Sequence, residues 1–322
     1  WTQTSIQQAN NANHISHLQP IKHVTKDDGL VILVVLIWGI NFPILKQALA
    51  AMHPFVLNVF RFITSAAALW IMLAIQRKSL RLFHWPELKP HLKTVLGLGM
   101  LGFFFYQVAF IVGIENTTAG NSALIMSSTP IWTALIGILF GYEQLGKQAW
   151  VGLLLSLSGT FLIVLFSSKA INLSDEYLVG NLITLCAAIM WGSYTAFSRP
   201  ISQNVDPMTL ILVGLLCAFP FNLLIAVPYF EQIDWSIVTF SVWAAILYSG
   251  ALSTGIAVAI WVIVVKRVGA THTAVFGNLV PLVALVGGYF LLGELITIPQ
   301  IIGGSFILTG LIIMRHDRRR KS

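Results

Sequence analysis

Arg61 is the one cation set inside an apolar stretch of this 322-residue chain. At about 1.5 Å of rise per residue from Pro54, it lies roughly 10 Å into a helix. A guanidinium at that depth is costly and must face protein or water. It has the chemistry to bind a carboxylate, and equally to snorkel to an interface or to hold freed backbone carbonyls. Trp38 and Asn41 stand three residues apart on one helical face, as do Trp191 and Tyr194. An indole beside a polar group suits a small amphipathic molecule. Interhelical packing with one hydrogen bond, worth about 1 kcal/mol, is the competing use. Tyr106, Gln107, Trp132, Tyr248 and Trp261 extend the candidate lining, although packing explains most single aromatics in a bundle. Pro43, Pro130 and Pro281 each fall inside an apolar stretch. Proline there removes a helix hydrogen bond, which frees the carbonyls of Gly39, Met126 and Gly277. Ser127 and Asn278 stand beside the latter two kinks.

This inventory binds rather than breaks bonds. There is no HExxH, GxSxG or Walker loop, and no carboxylate lies in the middle of an apolar stretch. Cys186 and Cys217 lack metal-ligand spacing and read as buried hydrophobes. We expect no catalytic residue, no metal and no cofactor.

The elements that position these residues come in two copies. Pro130, Glu143, Gly152 and Gly159 recur 151 positions later as Pro281, Glu294, Gly303 and Gly310. Ala119/Ala270, Ala123/Ala274 and Gly137/Gly288 share that offset, and Trp38-Gly39 recurs as Trp191-Gly192 at 153. With 57% hydrophobic and 10% charged residues, and a mean hydropathy of +0.81, the chain cannot cover a water-exposed surface; lipid solvates such a bundle instead. Ten apolar spans are expected: 29–50, 54–75, 92–114, 119–140, 147–167, 177–198, 207–229, 237–265, 271–292 and 296–314.

Alternating the loops puts sixteen of the 19 Lys and Arg on the side of both termini, and only Lys46 and Lys169 on the other. The positive-inside rule makes both termini cytoplasmic, in an inner (plasma) membrane. The net charge of +7 thus belongs to membrane topology, with the bilayer as partner and no nucleic acid. Five spans per copy require the second copy to be inverted. The loop charges agree: Glu115-Asn116 corresponds to Lys266-Arg267. The reading is an all-α polytopic membrane protein of ten transmembrane helices in two inverted five-helix repeats, 29–167 and 177–314. A disordered lead over 1–28, a linker over 168–176 and a basic tail over 315–322 complete it. Such inverted repeats point to secondary transport.

Trp38-Gly39-Ile40-Asn41-Phe42-Pro43, Arg61-Phe62, Thr118-Ala119-Gly120-Asn121-Ser122-Ala123 with Pro130, and Gly141-Tyr142-Glu143 resemble the EamA-type branch of the drug/metabolite transporter superfamily. Trp191-Gly192, Gly269-Ala270, Pro281 and Gly293-Glu294 repeat the pattern. The resemblance covers 29–314. It implies an exporter of small metabolites, amino acids or related compounds, with four helices per repeat around a cavity and the fifth outside. Two alternatives stand: a sodium-coupled carrier of another five-plus-five fold, or a membrane scaffold or lipid-modifying enzyme. Glu143 is expected to cap the following helix or pair with a loop cation. The glycine stripe Gly152/Gly159 and Gly303/Gly310 is expected to pack either within the monomer or across a homodimer.

Overall fold

The computed structural model describes residues 26–77, 85–117, 119–166, 177–292 and 296–321. Ten helical spans follow one another with no strand among the described residues. We number them α1 (Lys26–Leu49), α2 (Pro54–Arg77), α3 (Leu92–Gly99, Met100–Phe105 and Tyr106–Glu115), α4 (Ala119–Met126 and Thr129–Leu139) and α5 (Lys147–Leu165). The second half comprises α6 (Leu178–Asn204), α7 (Pro207–Phe230), α8 (Phe240–Val268), α9 (Ala270–Ala274, Val275–Asn278 and Leu279–Leu292) and α10 (Ile298–Lys321). Seven are unbroken apolar helices long enough to cross a bilayer. The remaining three are α1, which begins with Lys26-Asp27-Asp28, and the interrupted α4 and α9. Element starts follow local chemistry: proline stands first in α2 and α7, where its missing N–H costs nothing. Asp206 accepts the Thr209 N–H at 3.1 Å to cap α7.

Two boundaries differ from expectation. Residues 26–28 form the first turn of α1 rather than part of a disordered lead, because Asp27 and Asp28 suit a helix N-terminus. The basic tail is a helical extension of α10 through Lys321. Residues 1–25 and the linker 168–176 lie outside the described residues.

The prolines also act differently from simple kinks. Pro130 sits in the first turn of a new helical piece after a break at Ser127-Ser128. Three successive hydroxyls close the wound. Ser127 donates to Leu124 O at 2.6 Å, Ser128 to Ile125 O at 2.6 Å, and Thr129 to Met126 O at 2.7 Å. Pro281 likewise follows an interruption, the 3-10 turn Val275–Asn278. The helix of α1 continues through position 43.

A second duplicated irregularity had no sequence signal. α3 widens to a π-helix at Met100–Phe105 and α8 at Tyr248–Ile256. At the repeat offset, 100–105 falls on 251–256, inside the second of these. Such turns are frequent at functional sites.

The main core joins α1, α2, α3, α6, α7, α8 and α9. Outside it, α5 lies along α10. A methyl group at Gly152 would stand 2.6 Å from Gly310 O, and one at Gly159 would stand 2.4 Å from Gly303 O. The glycine stripe therefore closes a seam within one chain.

A candidate binding site between the repeats

Most of the sequence-derived candidates meet where the repeats face each other. Trp38 of α1 lies 5.9 Å from Trp191 of α6, edge to face, and 5.0 Å from Trp261 of α8. Trp191 stacks on Tyr194 at 5.2 Å and meets Tyr106 of α3 at 5.0 Å. These spacings are those of attractive ring pairs. Glycine permits the close approach: a methyl group at Gly102 would stand 2.5 Å from the Tyr194 ring. Trp132 joins from α4, its Cβ 2.9 Å from where a methyl group at Gly192 would lie.

Most polar tips in this cluster are held. The Trp38 indole donates to Ser253 O at 3.2 Å, Tyr248 to Ile37 O at 3.1 Å, and Trp132 to Ser128 Oγ at 3.1 Å. Trp261 donates to Thr195 Oγ1 at 3.4 Å. Two are not. Asn41 Oδ1 and Tyr194 Oη are buried with no hydrogen-bond partner among the described residues. They occupy equivalent positions, 153 apart. Buried polar atoms are nearly always satisfied, so a pair of bare ones needs a reason.

Arg61 anchors a polar layer beside the rings. It donates to Asn58 Oδ1 at 3.1 Å and Thr254 Oγ1 at 2.8 Å. Asn58 donates to Asn222 Oδ1 at 3.1 Å, and Asn222 to Phe103 O at 3.0 Å. The layer thus ties α2 and α7 to both π-helical segments, with Thr254 in one and Phe103 in the other. Arg61 and Tyr106 are close enough to interact electrostatically. Of the other candidates, Gln107 is buried beside Tyr106, and Ser127 is spent on the α4 break. Asn278 donates to Ser156 Oγ on α5 at 3.2 Å, apart from the ring cluster. The side chain of Pro43 lies outside the described residues.

Sequence reasoning missed Asn58, Asn222 and Thr254. Asn58 stands three residues before Arg61, on the same face, and Asn222 is a lone amide in an apolar span. Both are signals of a buried partner.

A third node locks the face where α1 begins and α10 ends. Glu143, after α4, accepts the backbone N–H groups of Ala270 at 2.5 Å and Thr271 at 3.1 Å. It also accepts the Thr271 hydroxyl and pairs with Arg199 at 3.1 Å. It caps α9 of the other repeat rather than the helix that follows it. Gly269, with φ at 109°, makes the turn that presents those N–H groups. Asp27–Arg267 and Asp28–Arg315, each at 2.9 Å, lie on the same face. All three ion pairs described join the first repeat to the second. Glu294 lies outside the described residues.

A bundle of this kind, all-helical, strongly apolar and built of two five-span repeats with broken helices between them, is an integral membrane protein of the transporter type. The profile of the EamA-like transporter family matches residues 26–165 and 178–315, and the chain belongs to that family. This replaces the alternative of a carrier with a different five-plus-five fold. The chain is similar to "Uncharacterized transporter YoaV" of Bacillus subtilis (strain 168), 28% identical over 267 residues, covering 81% of this chain and 87% of that protein. It is 28% identical over 303 residues to "Probable amino-acid metabolite efflux pump" of Escherichia coli (strain K12), covering 89% and 94%. A solved crystal structure, 19% identical, has the same fold with a TM-score of 0.76, covering 91% of this chain and 97% of its own. These relatives are named for moving compounds, which sets the chain among transporters and not enzymes.

Proposed function

We propose that the protein exports small amphipathic metabolites, amino acids or related compounds, by alternating access between its inverted repeats. It would sit in the inner membrane with both termini cytoplasmic. What carries this reading is the repeat-related pair of bare polar atoms: Tyr194 Oη, on a ring stacked against Trp191, and Asn41 Oδ1, three residues from Trp38 of the same ring cluster. The ring surfaces suit an apolar body, and the bare atoms suit its polar groups. The broken helices α4 and α9 match the way discontinuous spans build midplane sites. The Escherichia coli relative's name supports amino-acid metabolites as the class. On this reading the three cross-repeat ion pairs are the closed cytoplasmic gate.

Purified protein in proteoliposomes tests the proposal directly. Counterflow of at least one compound from a broad metabolite panel is expected, with cysteine at Asn41 or Tyr194 changing its reactivity to soluble thiol reagents when that compound is present. No movement of any compound, together with complete inaccessibility of both cysteines, overturns it.

A further inference from the structure

Arg61 is 7% exposed, and its two described partners, Asn58 and Thr254, are neutral. Its Nε–H has no acceptor among the described residues. No acidic side chain pairs with it among the described residues, and no Asp or Glu lies in the middle of an apolar stretch of the sequence. A guanidinium stays charged and can only donate. The fold therefore buries one whole positive charge without its counter-charge, the arrangement that costs most in a low-dielectric interior.

The same seam holds further unpartnered groups. Ser65, one turn along α2 from Arg61, and Ser249, in the π-helical part of α8, are fully buried, with hydroxyls that have no partner among the described residues. A methyl group at Gly255 would stand 3.0 Å from Ser65 Oγ, and one at Gly250 would stand 2.5 Å from Arg61 O, so α2 and α8 meet closely here. Arg61 and Ser65 thus stand on this seam, and Ser249 directly precedes Gly250, the residue of α8 packed against Arg61.

We propose that this seam is a carboxylate subsite, with Arg61 reading the charge and Ser65 and Ser249 completing the oxyanion's hydrogen bonds. The inference rests on the exporter reading and narrows its substrates to compounds bearing a carboxylate. Charge counting selects the class. No second Lys or Arg lies in the middle of a span, so a dianionic phosphate beside Arg61 would remain half uncompensated, whereas a monoanionic carboxylate balances Arg61 alone. The apolar body of the substrate then lies toward Tyr106, which interacts with Arg61, and toward Trp191, whose ring meets that of Tyr106. Thr254 is a positioning residue: it holds the guanidinium, and its own hydroxyl is anchored on Ser249 O at 2.9 Å.

The test compares matched compounds in proteoliposomes of the whole chain: L-amino acids, their carboxamides and their decarboxylated amines. Wild type is expected to exchange acids and to ignore the amides and amines. Arg61→Gln is expected to lose about tenfold to a hundredfold of acid exchange, the value of a charge-assisted hydrogen bond, while Arg61→Lys retains part. Thr254→Val is expected to lower the acid-to-amide preference, which a purely structural role would leave alone. Exchange of amides or amines as fast as the acids in wild type overturns the assignment without any variant. So does unchanged acid exchange by monodisperse Arg61→Gln. Exchange confined to such neutral or cationic compounds leaves the exporter reading standing; no exchange of anything in the broad panel removes both.

Discussion

Glu143 shows how much one side chain does when its partners come from two elements of the other repeat, α6 and α9. Its carboxylate satisfies two N–H groups that the start of α9 would otherwise leave bare, and it neutralises Arg199. Glu143→Ala is expected to cost about 1–2 kcal/mol from the lost cap alone, and more with the ion pair. Asp27→Asn, which breaks a pair whose Arg267 side chain is 55% exposed, is expected to cost less than about 1 kcal/mol. Thermal unfolding in detergent ranks the two. On the opposite face, His53 stacks on Tyr229 with ring centroids 3.6 Å apart, and its Nδ1 accepts the Phe55 N–H at 3.4 Å. Burial lowers its pKa below the ordinary 6.5, against a smaller upward pull from Glu115. A lowered folded-state value means the contribution is complete above pH 6.5 and is lost as pH falls through the lowered value. Stability measured against pH is expected to decline below 6.5 in wild type, and less steeply in His53→Phe, which keeps the ring and removes the titration.

At the scale of elements, the interrupted helices are the feature that sequence conveyed in part. The prolines announced where the backbone loses a hydrogen bond. They did not announce that Ser127, Ser128 and Thr129 would each reach back three residues to take a carbonyl, since such bonds depend on the local turn. Thr129→Val leaves Met126 O bare near the centre of α4 and is expected to cost about 1–3 kcal/mol, read as a lowered unfolding temperature. The π-helical turns were illegible because one extra residue in a turn changes no composition and no period. Once seen, their recurrence at the repeat offset explains why the polar layer ends on them: wide turns leave carbonyls and hydroxyls free to receive side chains such as Asn222.

At the scale of the whole molecule, class, span number and repeat were legible because bilayer burial writes itself into composition and the loops carry the charge. The candidate rings were legible for the same reason, since Trp38, Trp191 and Tyr194 stand on repeat-related faces. The polar pairs were not. Asn58 and Asn222 are 164 residues apart, and Glu143 and Ala270 are 127 apart, so only the folded chain joins them. The α5–α10 seam answers what the glycine stripe is for. Gly159→Ala is expected to push the two helices apart at a cost of about 1–3 kcal/mol, with the loss read in monomeric protein in detergent.

That seam also sets a schedule for making the molecule. α5 leaves the ribosome well before α10. Until α10 arrives, the groove of Gly152, Ser156 and Gly159 faces lipid, with Ser156 lacking the helix that buries it. The seam can close only once α10 has been made. A protein cut short before Ile298 would leave this glycine notch without the helix that fills it.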